Sequence, residues 1–318
     1  MNLYVKLFLL IVTFGIFYQT VFYFRHSGTI EPKITVGEQL VNLTDFQYVI
    51  KKDHLCDRGD LLLLVIISSA PKHVKKRQTI RDTWGRKRDH IKFLFNLGLS
   101  DQRTNAAIKL EDFRHQDIIQ GNFLDSYKNL TYKSTLAVKY ASEQCNSAKF
   151  ILKCDDDVFV NTPQLMNFLK VDLAPTRPEN TIFCLINDKM PVIRDPNEDN
   201  SKWYVPYEEF REEVYPRYCS GMFVLMTPDV AFNLHKHAQK TAFFWIDDVF
   251  LTGLVAKRID HLRYVDMEGF TLVNVDIDAM LKKEDKDLTF LFGGFNMSRR
   301  QIRLLWRYVR AFNERRFS

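Results

Sequence analysis

Residues 151–161 have the sequence ILKCDDDVFVN, in which three consecutive aspartates directly follow an apolar run. Adjacent carboxylates repel one another, and a charge at the end of a buried segment costs several kcal/mol unless it is paired or metal-bound. Asp155, Asp156 and Asp157 therefore predict a positively charged partner at the end of a buried strand.

The segments around this stretch alternate between strand and helix patterns. The apolar run LLLLVIIS, residues 61–68, is typical of a central parallel strand. A basic stretch ending at Gly85 and an amphipathic stretch at 131–145 both predict helices. Further strand candidates lie at 91–98, 116–123 and 149–153. This alternation predicts an α/β sheet with right-handed crossovers, in which ligands lie beyond the carboxyl ends of the strands, where the aspartates fall.

The chain has 318 residues and a net charge of +6, from 45 basic and 39 acidic side chains. This length suffices for one large domain or two closely packed ones. Much of the excess lies between Arg299 and Arg316, and a charged tail gives little support for nucleic-acid binding, so we expect no nucleic-acid partner. That tail predicts a final packing helix, with lipid-headgroup or nucleic-acid contact as the less favoured alternative. Its apolar stripe is Ile302, Leu305, Trp306 and Val309.

The N-terminal region contains an uncharged apolar stretch, residues 7–24, bounded by Lys6 and Arg25. Its length approaches the roughly 20 residues that a membrane helix needs. A cleavable signal peptide is the alternative, but its apolar region is usually shorter and precedes a small-residue cleavage site, which we do not find. We therefore expect a cytoplasmic tail at 1–6, an uncleaved signal anchor at 7–24, a stem at 25–58 and a folded domain at 59–318.

Two further features favour a lumenal location for this domain. Three Asn-x-Ser/Thr glycosylation acceptors occur, at Asn42, Asn129 and Asn296. The chain also has five cysteines, which permit two disulfides and one remaining thiol. Reduced cysteines in the core are the alternative for any one of them.

The chemistry of three carboxylates favours Mg²⁺ or Mn²⁺, which commonly bridge a protein carboxylate to a diphosphate. The stretch lacks the glycine and further ligands of a calcium-binding EF-hand loop. The sequence also contains neither of the glycine-rich phosphate-binding motifs, and no His-Glu-x-x-His zinc motif. A metal-bound nucleotide without a phosphate-binding glycine loop indicates a nucleotide-sugar transferase.

Seven sequence blocks then carry a family resemblance. In order they are RQTIRDTWG (77–85), FLFNLG (93–98), QDIIQGNFLDSYKNLTYKS (116–134), FILKCDDDVFVN (150–161), KWYV (202–205), YPRYCSG (215–221) and DDVFLTG (247–253). Together they resemble the β-1,3-galactosyltransferase family of Golgi enzymes, which includes related N-acetylglucosaminyltransferases and the Fringe proteins. The resemblance covers residues 60–310.

This resemblance implies a nucleotide-sugar-binding (GT-A-like) mixed sheet flanked by helices, in a single-pass type II Golgi membrane protein. It implies transfer of galactose or N-acetylhexosamine from a UDP-sugar to a hydroxyl of an acceptor glycan on protein or lipid, with inversion and Mn²⁺. Asp155 and Asp157 match the metal-binding Asp-x-Asp motif, with Asp157 as the main ligand. Asp156 would also face the donor, and Asp248 matches the catalytic base.

The residues support these assignments to different degrees. Asp248 follows the bulky run FFWI, which would raise a carboxyl pKa and suit it to base catalysis. The alternative is a carboxylate that caps a helix N-terminus. Arg77 and Arg81, one helical turn apart, face either a diphosphate or solvent. Trp203 lines either the sugar site or the core.

Three positions depart from the family pattern: Cys154 replaces a small hydroxyl residue, Phe223 replaces a glycine, and Phe295 stands where a metal-ligating histidine usually lies. Because phenylalanine cannot coordinate Mn²⁺, a catalytically weak or inactive membrane-anchored relative that binds glycan or nucleotide is the main alternative. A metal-dependent hydrolase of nucleotide sugars is a remote one.

Overall fold

The computed structural model describes residues 47–57, 61–197, 201–273, 277–283 and 288–316. The strands are β1 (Tyr48–Ile50), β2 (Leu63–Ser68), β3 (Ile91–Leu99), β4 (Ile118–Leu124), β5 (Phe150–Asp155), β6 (Phe159–Val160), β7 (Thr181–Asn187), β8 (Tyr218–Met226), β9 (Arg263–Asp266) and β10 (Phe292–Gly293). The α-helices are α1 (Val74–Asp82), α2 (Gln102–His115), α3 (Leu130–Gln144), α4 (Thr162–Asn167), α5 (Pro228–Ala238), α6 (Asp247–Val249), α7 (Ile277–Lys282) and α8 (Arg299–Arg316).

Eight strands form one mixed sheet in the order β1-β4-β3-β2-β5-β8-β7-β9. Strands β4, β3, β2 and β5 are parallel, whereas β8 runs antiparallel to both β5 and β7. Strands β6 and β10 form a small second sheet. The structure confirms the predicted mixed α/β sheet with flanking helices, and each strand and helix predicted between residues 61 and 155 is present. Strand β2 is buried on both faces, which explains its continuous apolar sequence.

Helices cover both faces of the sheet because alternate strand residues point in opposite directions. Leu64 and Ile66 pack on one face with α3, α5 and the segment after α6. Val65 and Ile67 pack on the other face with α1, α4 and α8. The apolar stripe predicted for the last helix is buried, which confirms α8 as a packing helix.

The boundary of the folded domain differs from the sequence-based prediction. Tyr48–Ile50, inside the predicted stem, pair antiparallel with β4, and Cys56 forms a disulfide with Cys145. A three-residue edge strand is too short to give an apolar period, which is why the sequence pattern did not reveal it. The predicted tail, anchor and remaining stem, 1–46, lie outside the described residues. Among the residues that are described, no helix is long and apolar enough to cross a bilayer.

Candidate active site

The three aspartates lie at the carboxyl end of β5, as predicted. Asp155 pairs in register with Ser68, the last residue of β2, so two parallel strands end at the same place. The loop after β2 and the first turn of α1 lie against this edge, because Ser69, His73 and Lys76 all contact Asp156. The location matches the ligand-binding edge of open α/β sheets.

Asp156 is the buried member of the three. Its carboxylate accepts hydrogen bonds from Ser69 Oγ at 2.7 Å, His73 Nδ1 at 2.8 Å and Lys76 Nζ at 2.9 Å. Burial alone would raise the pKa of Asp156, but the hydrogen bonds from His73, Ser69 and Lys76 outweigh it and lower the pKa. Asp156 therefore joins the β2–α1 loop to β5, a role that differs from the predicted contact with the donor.

Asp157 is more accessible and forms an ion pair with Lys76. Lys76 Nζ lies 2.9 Å from Asp157 Oδ2, so this ammonium group bridges Asp156 and Asp157. The backbone carbonyl of Asp157 accepts from Met297 N–H at 2.9 Å. That contact brings the loop containing Phe295, whose side chain is 49% exposed, next to the aspartates.

Asp155 is half-buried at the end of β5. Burial raises its pKa to about 7, although the nearby Lys153 ammonium opposes the shift and the charge of Asp247 adds to it. A carboxyl group with this pKa is only partly ionised at neutral pH, so a further cation would stabilise its charged form.

Asp248 lies across the same edge, in α6. Gly221 of β8 donates its backbone N–H to the Asp248 carboxylate, and a Cβ atom at position 221 would lie 2.5 Å from Asp248 Oδ2. Burial, followed by the charge of Asp247, raises the pKa of Asp248 well above its ordinary value. A carboxyl group with a raised pKa is suited to accept a proton near neutral pH.

A buried lysine that the sequence analysis did not single out holds these carboxylates together. Lys153 Nζ lies 3.5 Å from Asp247 Oδ2, and Ser134 Oγ donates a short hydrogen bond to the same carboxylate. Burial alone would lower the pKa of Lys153, but the charges of Asp247, Asp248 and Asp155 raise it. The sequence signal was a lysine inside an apolar run, on the same strand face as Asp155.

Arg77 and Arg81 do not face the aspartates. Arg77 is fully buried, and its Nη2 lies 2.6 Å from Glu111 Oε2. Arg81 Nε lies 2.8 Å from Asp117 Oδ2. This differs from the prediction that the two arginines face a diphosphate, because a buried guanidinium group requires a carboxylate partner and both have one within the protein. The lysine of α1 that does contact the aspartates is Lys76.

Trp203 is partly buried and packs against the core. Its side chain forms a hydrogen bond with Tyr127, whose ring centroid lies 5.9 Å from that of Trp245. Burial and the charge of Asp247 raise the pKa of Tyr127 to about 12. An aromatic wall formed by Trp203, Tyr127 and Trp245 therefore stands beside the Asp247–Asp248 pair; Tyr127 and Trp245 were not predicted.

Two of the three departures from the family pattern lie in the core beneath the site. Phe223 stacks on Phe292, with ring centroids 3.7 Å apart and an interplanar angle of 13°. Cys154 is a buried free thiol that pairs in register with Phe223. Both side chains are fully buried, on the neighbouring strands β5 and β8.

The predicted glycosylation acceptors differ in exposure. Asn296 is exposed, in the loop that follows β10. Asn129 donates its side-chain amide to the Leu124 carbonyl, and Thr131 of the same acceptor triplet is buried. Asn42 lies outside the described residues.

The carboxylates are suited to bind a divalent metal ion whose remaining ligands come from the substrate. Among the described residues, no group of three histidine, cysteine or acidic side chains is arranged as a metal site. Mg²⁺ and related ions, however, commonly use one or two carboxylates together with substrate phosphates. Asp157 is accessible, and burial raises the pKa of Asp155, whose charged form a bound cation would stabilise, so these two residues meet that requirement.

Comparison with known proteins agrees with this geometry. A family model described as galactosyltransferase matches residues 75–267, and the chain belongs to this galactosyltransferase family. The human lactosylceramide 1,3-N-acetyl-β-D-glucosaminyltransferase is 34% identical over 226 residues, which are 67% of this chain and 58% of the relative. Mouse β-1,3-galactosyltransferase 1 is 30% identical over 245 residues, 74% of this chain and 73% of the relative. The chain thus spans less than two thirds of the length of the lactosylceramide enzyme.

Solved structures are more distant. The galactosyltransferase LgtC superposes with a TM-score of 0.37 over 73% of this chain and 86% of its own, at 9% identity.

Proposed function

We propose that this protein transfers galactose or N-acetylhexosamine from a UDP-sugar to a hydroxyl of an acceptor glycan, forming a β-1,3 linkage with inversion. The observation that carries the proposal is the placement of Asp248, with its raised pKa, across one sheet edge from Asp155 and Asp157. Membership of the galactosyltransferase family supports it, and the printed activities of the relatives suggest an acceptor glycan on lipid or protein.

In this mechanism, Asp248 accepts the proton of the acceptor hydroxyl as that oxygen attacks the anomeric carbon. The bond between the anomeric carbon and the donor phosphate breaks, and UDP leaves from the opposite face, which inverts the anomeric centre. Lys153 neutralises Asp247, so that Asp248 is the carboxylate of the pair left to accept the proton. Trp203, Tyr127 and Trp245 would orient the acceptor beside Asp248.

Asp157 and Asp155 would hold Mn²⁺, which would neutralise the charge that develops on the diphosphate. Lys76 competes for the same carboxylate of Asp157, and Phe295 provides no ligand. We therefore expect weak Mn²⁺ binding and low or specialised activity. A non-catalytic relative that only binds donor or glycan is the second candidate, because Lys76 and Phe295 together weaken the metal site.

The location that we propose is the Golgi membrane, with the chain anchored by residues 7–24 in type II orientation. Two disulfides, Cys56–Cys145 and Cys184–Cys219, support exposure of the domain to an oxidising compartment.

The test is a screen of UDP-sugars with Mn²⁺, in which UDP release is measured with and without a panel of acceptor glycans. A transferase releases UDP only when a suitable acceptor is present. Release without acceptor would identify a hydrolase. Donor binding without release for any acceptor would identify the non-catalytic relative and overturn the proposed activity.

A further inference from the structure

A basic groove lies between the C-terminal end of α1 and the last helix, α8, away from the site described above. It has a volume of about 440 Å³, and we call it the α1–α8 groove. Its lining includes Thr83, Arg303, Trp306, Arg307 and Ala311. Lys76, which contacts the aspartates, lies on α1 seven residues before Thr83, the residue that follows the helix, or about 10 Å along the helix axis.

Arg303, Arg307 and Arg310 line this groove, and Arg310 already takes part in an interaction within the protein. Arg303 and Arg307 lie one turn apart on α8, and within the part of the chain that the structure describes their side chains form no ion pair or hydrogen bond. The guanidinium carbon of Arg88 lies 5.3 Å from the Trp306 ring centroid. Desolvation, followed by the charge of Arg86, lowers the pKa of Arg88. Arg88 contacts Trp306 from outside the lining, so the unpaired Arg303 and Arg307 are the charges that favour an anion in the groove.

A second, independent observation is an unsatisfied donor. Trp306 is only 6% exposed, and its indole Nε1 has no hydrogen-bond partner among the described residues. Buried polar groups almost always have a partner, and an acceptor bound beside Trp306, a lining residue of the groove, would supply one. The one carboxylate in the lining, that of Asp82, accepts from Gln78 on its own helix.

The groove's donors match a tetrahedral oxyanion. Guanidinium groups bind phosphate and sulfate with paired hydrogen bonds, and the indole N–H adds one further donor. The volume is in the range of pockets that hold small molecules, and a planar membrane surface could not enter a concave groove. We propose that the α1–α8 groove binds the phosphate or sulfate ester of a sugar-sized molecule through Arg303, Arg307 and Trp306.

The test uses calorimetric titration of the purified full chain with glucose 6-phosphate, glucose 6-sulfate, glucose and inorganic phosphate. Excess EDTA excludes metal-dependent binding at the aspartates. We expect at least one ester to bind at least tenfold more tightly than glucose and inorganic phosphate do. The affinity for this ester should fall as the salt concentration rises. The double variant Arg303→Gln/Arg307→Gln should lose at least tenfold in ester affinity.

Arg300→Gln is the matched control, because Arg300 is an exposed arginine on the same helix and does not line the groove. Trp306→Phe removes only the indole donor and some volume, and it should weaken ester binding. The melting temperature of this variant is measured in parallel to show that it is folded. No ester binding, equal binding of glucose or inorganic phosphate, or equal effects of the double variant and Arg300→Gln would overturn the proposal. Binding to anionic lipid vesicles without binding to either ester would also overturn it, in favour of a membrane-facing surface.

Discussion

Asp248 and Gly221 are in direct contact, since a Cβ atom at position 221 would lie 2.5 Å from Asp248 Oδ2 and 2.6 Å from Oδ1. Two non-bonded heavy atoms cannot approach this closely, so only glycine at position 221 allows the Asp248 carboxylate to occupy this position. The same residue donates its backbone N–H to that carboxylate. Gly221 therefore fixes the position of the proposed base, although it has no side chain of its own.

Gly221→Ala should displace Asp248 and lower the rate of sugar transfer by about 10²-fold, the scale of a lost general base. Binding of UDP should change little, because the aspartates at the end of β5 are not moved. The measurements are UDP release and UDP binding. Gly269→Ala is the control, since a Cβ at position 269 would meet nothing within 4 Å. Equal activity of the two variants would show that Gly221 does not position the base.

Asp248→Asn should retain UDP-sugar binding but lose transfer by about 10²-fold or more, because the proton acceptor is needed only in the transition state. Asp157→Asn should instead weaken metal-dependent binding of the donor, because a charge that holds the divalent ion is lost. Both are measured by donor binding and by single-turnover transfer. Normal turnover of Asp248→Asn would mean that another residue is the base.

The pH profile of transfer should have an acid limb above the ordinary carboxyl range of about pH 4. Burial and Asp247 raise the pKa of Asp248, and only the ionised carboxylate accepts a proton. The rate should therefore fall as the pH decreases through this raised pKa and level off above it. The measurement is kcat against pH at saturating donor and acceptor. A rate that stays constant down to about pH 4 would exclude Asp248 as the base.

Phe295→His should lower the Mn²⁺ concentration for half-maximal UDP release by 10–100-fold, the usual effect of an added supporting ligand. Phe295 is exposed, and its loop contacts Asp157 through Met297, so the substitution should not disturb the core. Phe232→His, at a 56% exposed phenylalanine on α5, is the control. If the wild type already saturates at micromolar Mn²⁺ and Phe295→His changes nothing, another residue supplies the ligand.

The chain expressed in cells should carry N-glycan on at least one of Asn42, Asn129 and Asn296, so that endoglycosidase increases its gel mobility. Of the two described acceptors, we expect Asn296 to be used, because it is exposed, whereas Asn129 bonds the Leu124 carbonyl. Asn296→Gln should therefore reduce the mobility shift and Asn129→Gln should not. The absence of any shift in the wild type would argue for a cytosolic domain.

Apart from α2 (Gln102–His115), which the sequence analysis did not predict, the order of strands and helices from 61 to 155 could be predicted from sequence alone, as could the position of the aspartates at a strand end. These features depend on local pattern: a continuous apolar run such as 61–68 predicts a buried strand, and polar residues that follow it fall at the sheet edge. The resemblance of seven blocks supplied Asp248 as the proposed base, because residue identity at matched positions carries that information. The apolar stripe of α8 was likewise visible as a helical period.

The partners of charged groups were decided only by the tertiary structure. Arg77 pairs with Glu111 and Lys76 with Asp157, across separations of 34 and 81 residues, and no local pattern encodes such contacts. Burial makes each pairing obligatory, since an unpaired charge in the interior is costly, but which carboxylate meets which cation follows from how the helices pack. The same holds for Gly221, whose role is visible only when β8 is brought against Asp248. Sequence thus determined the elements and the residue types of the site, whereas packing determined which of those residues are free to act.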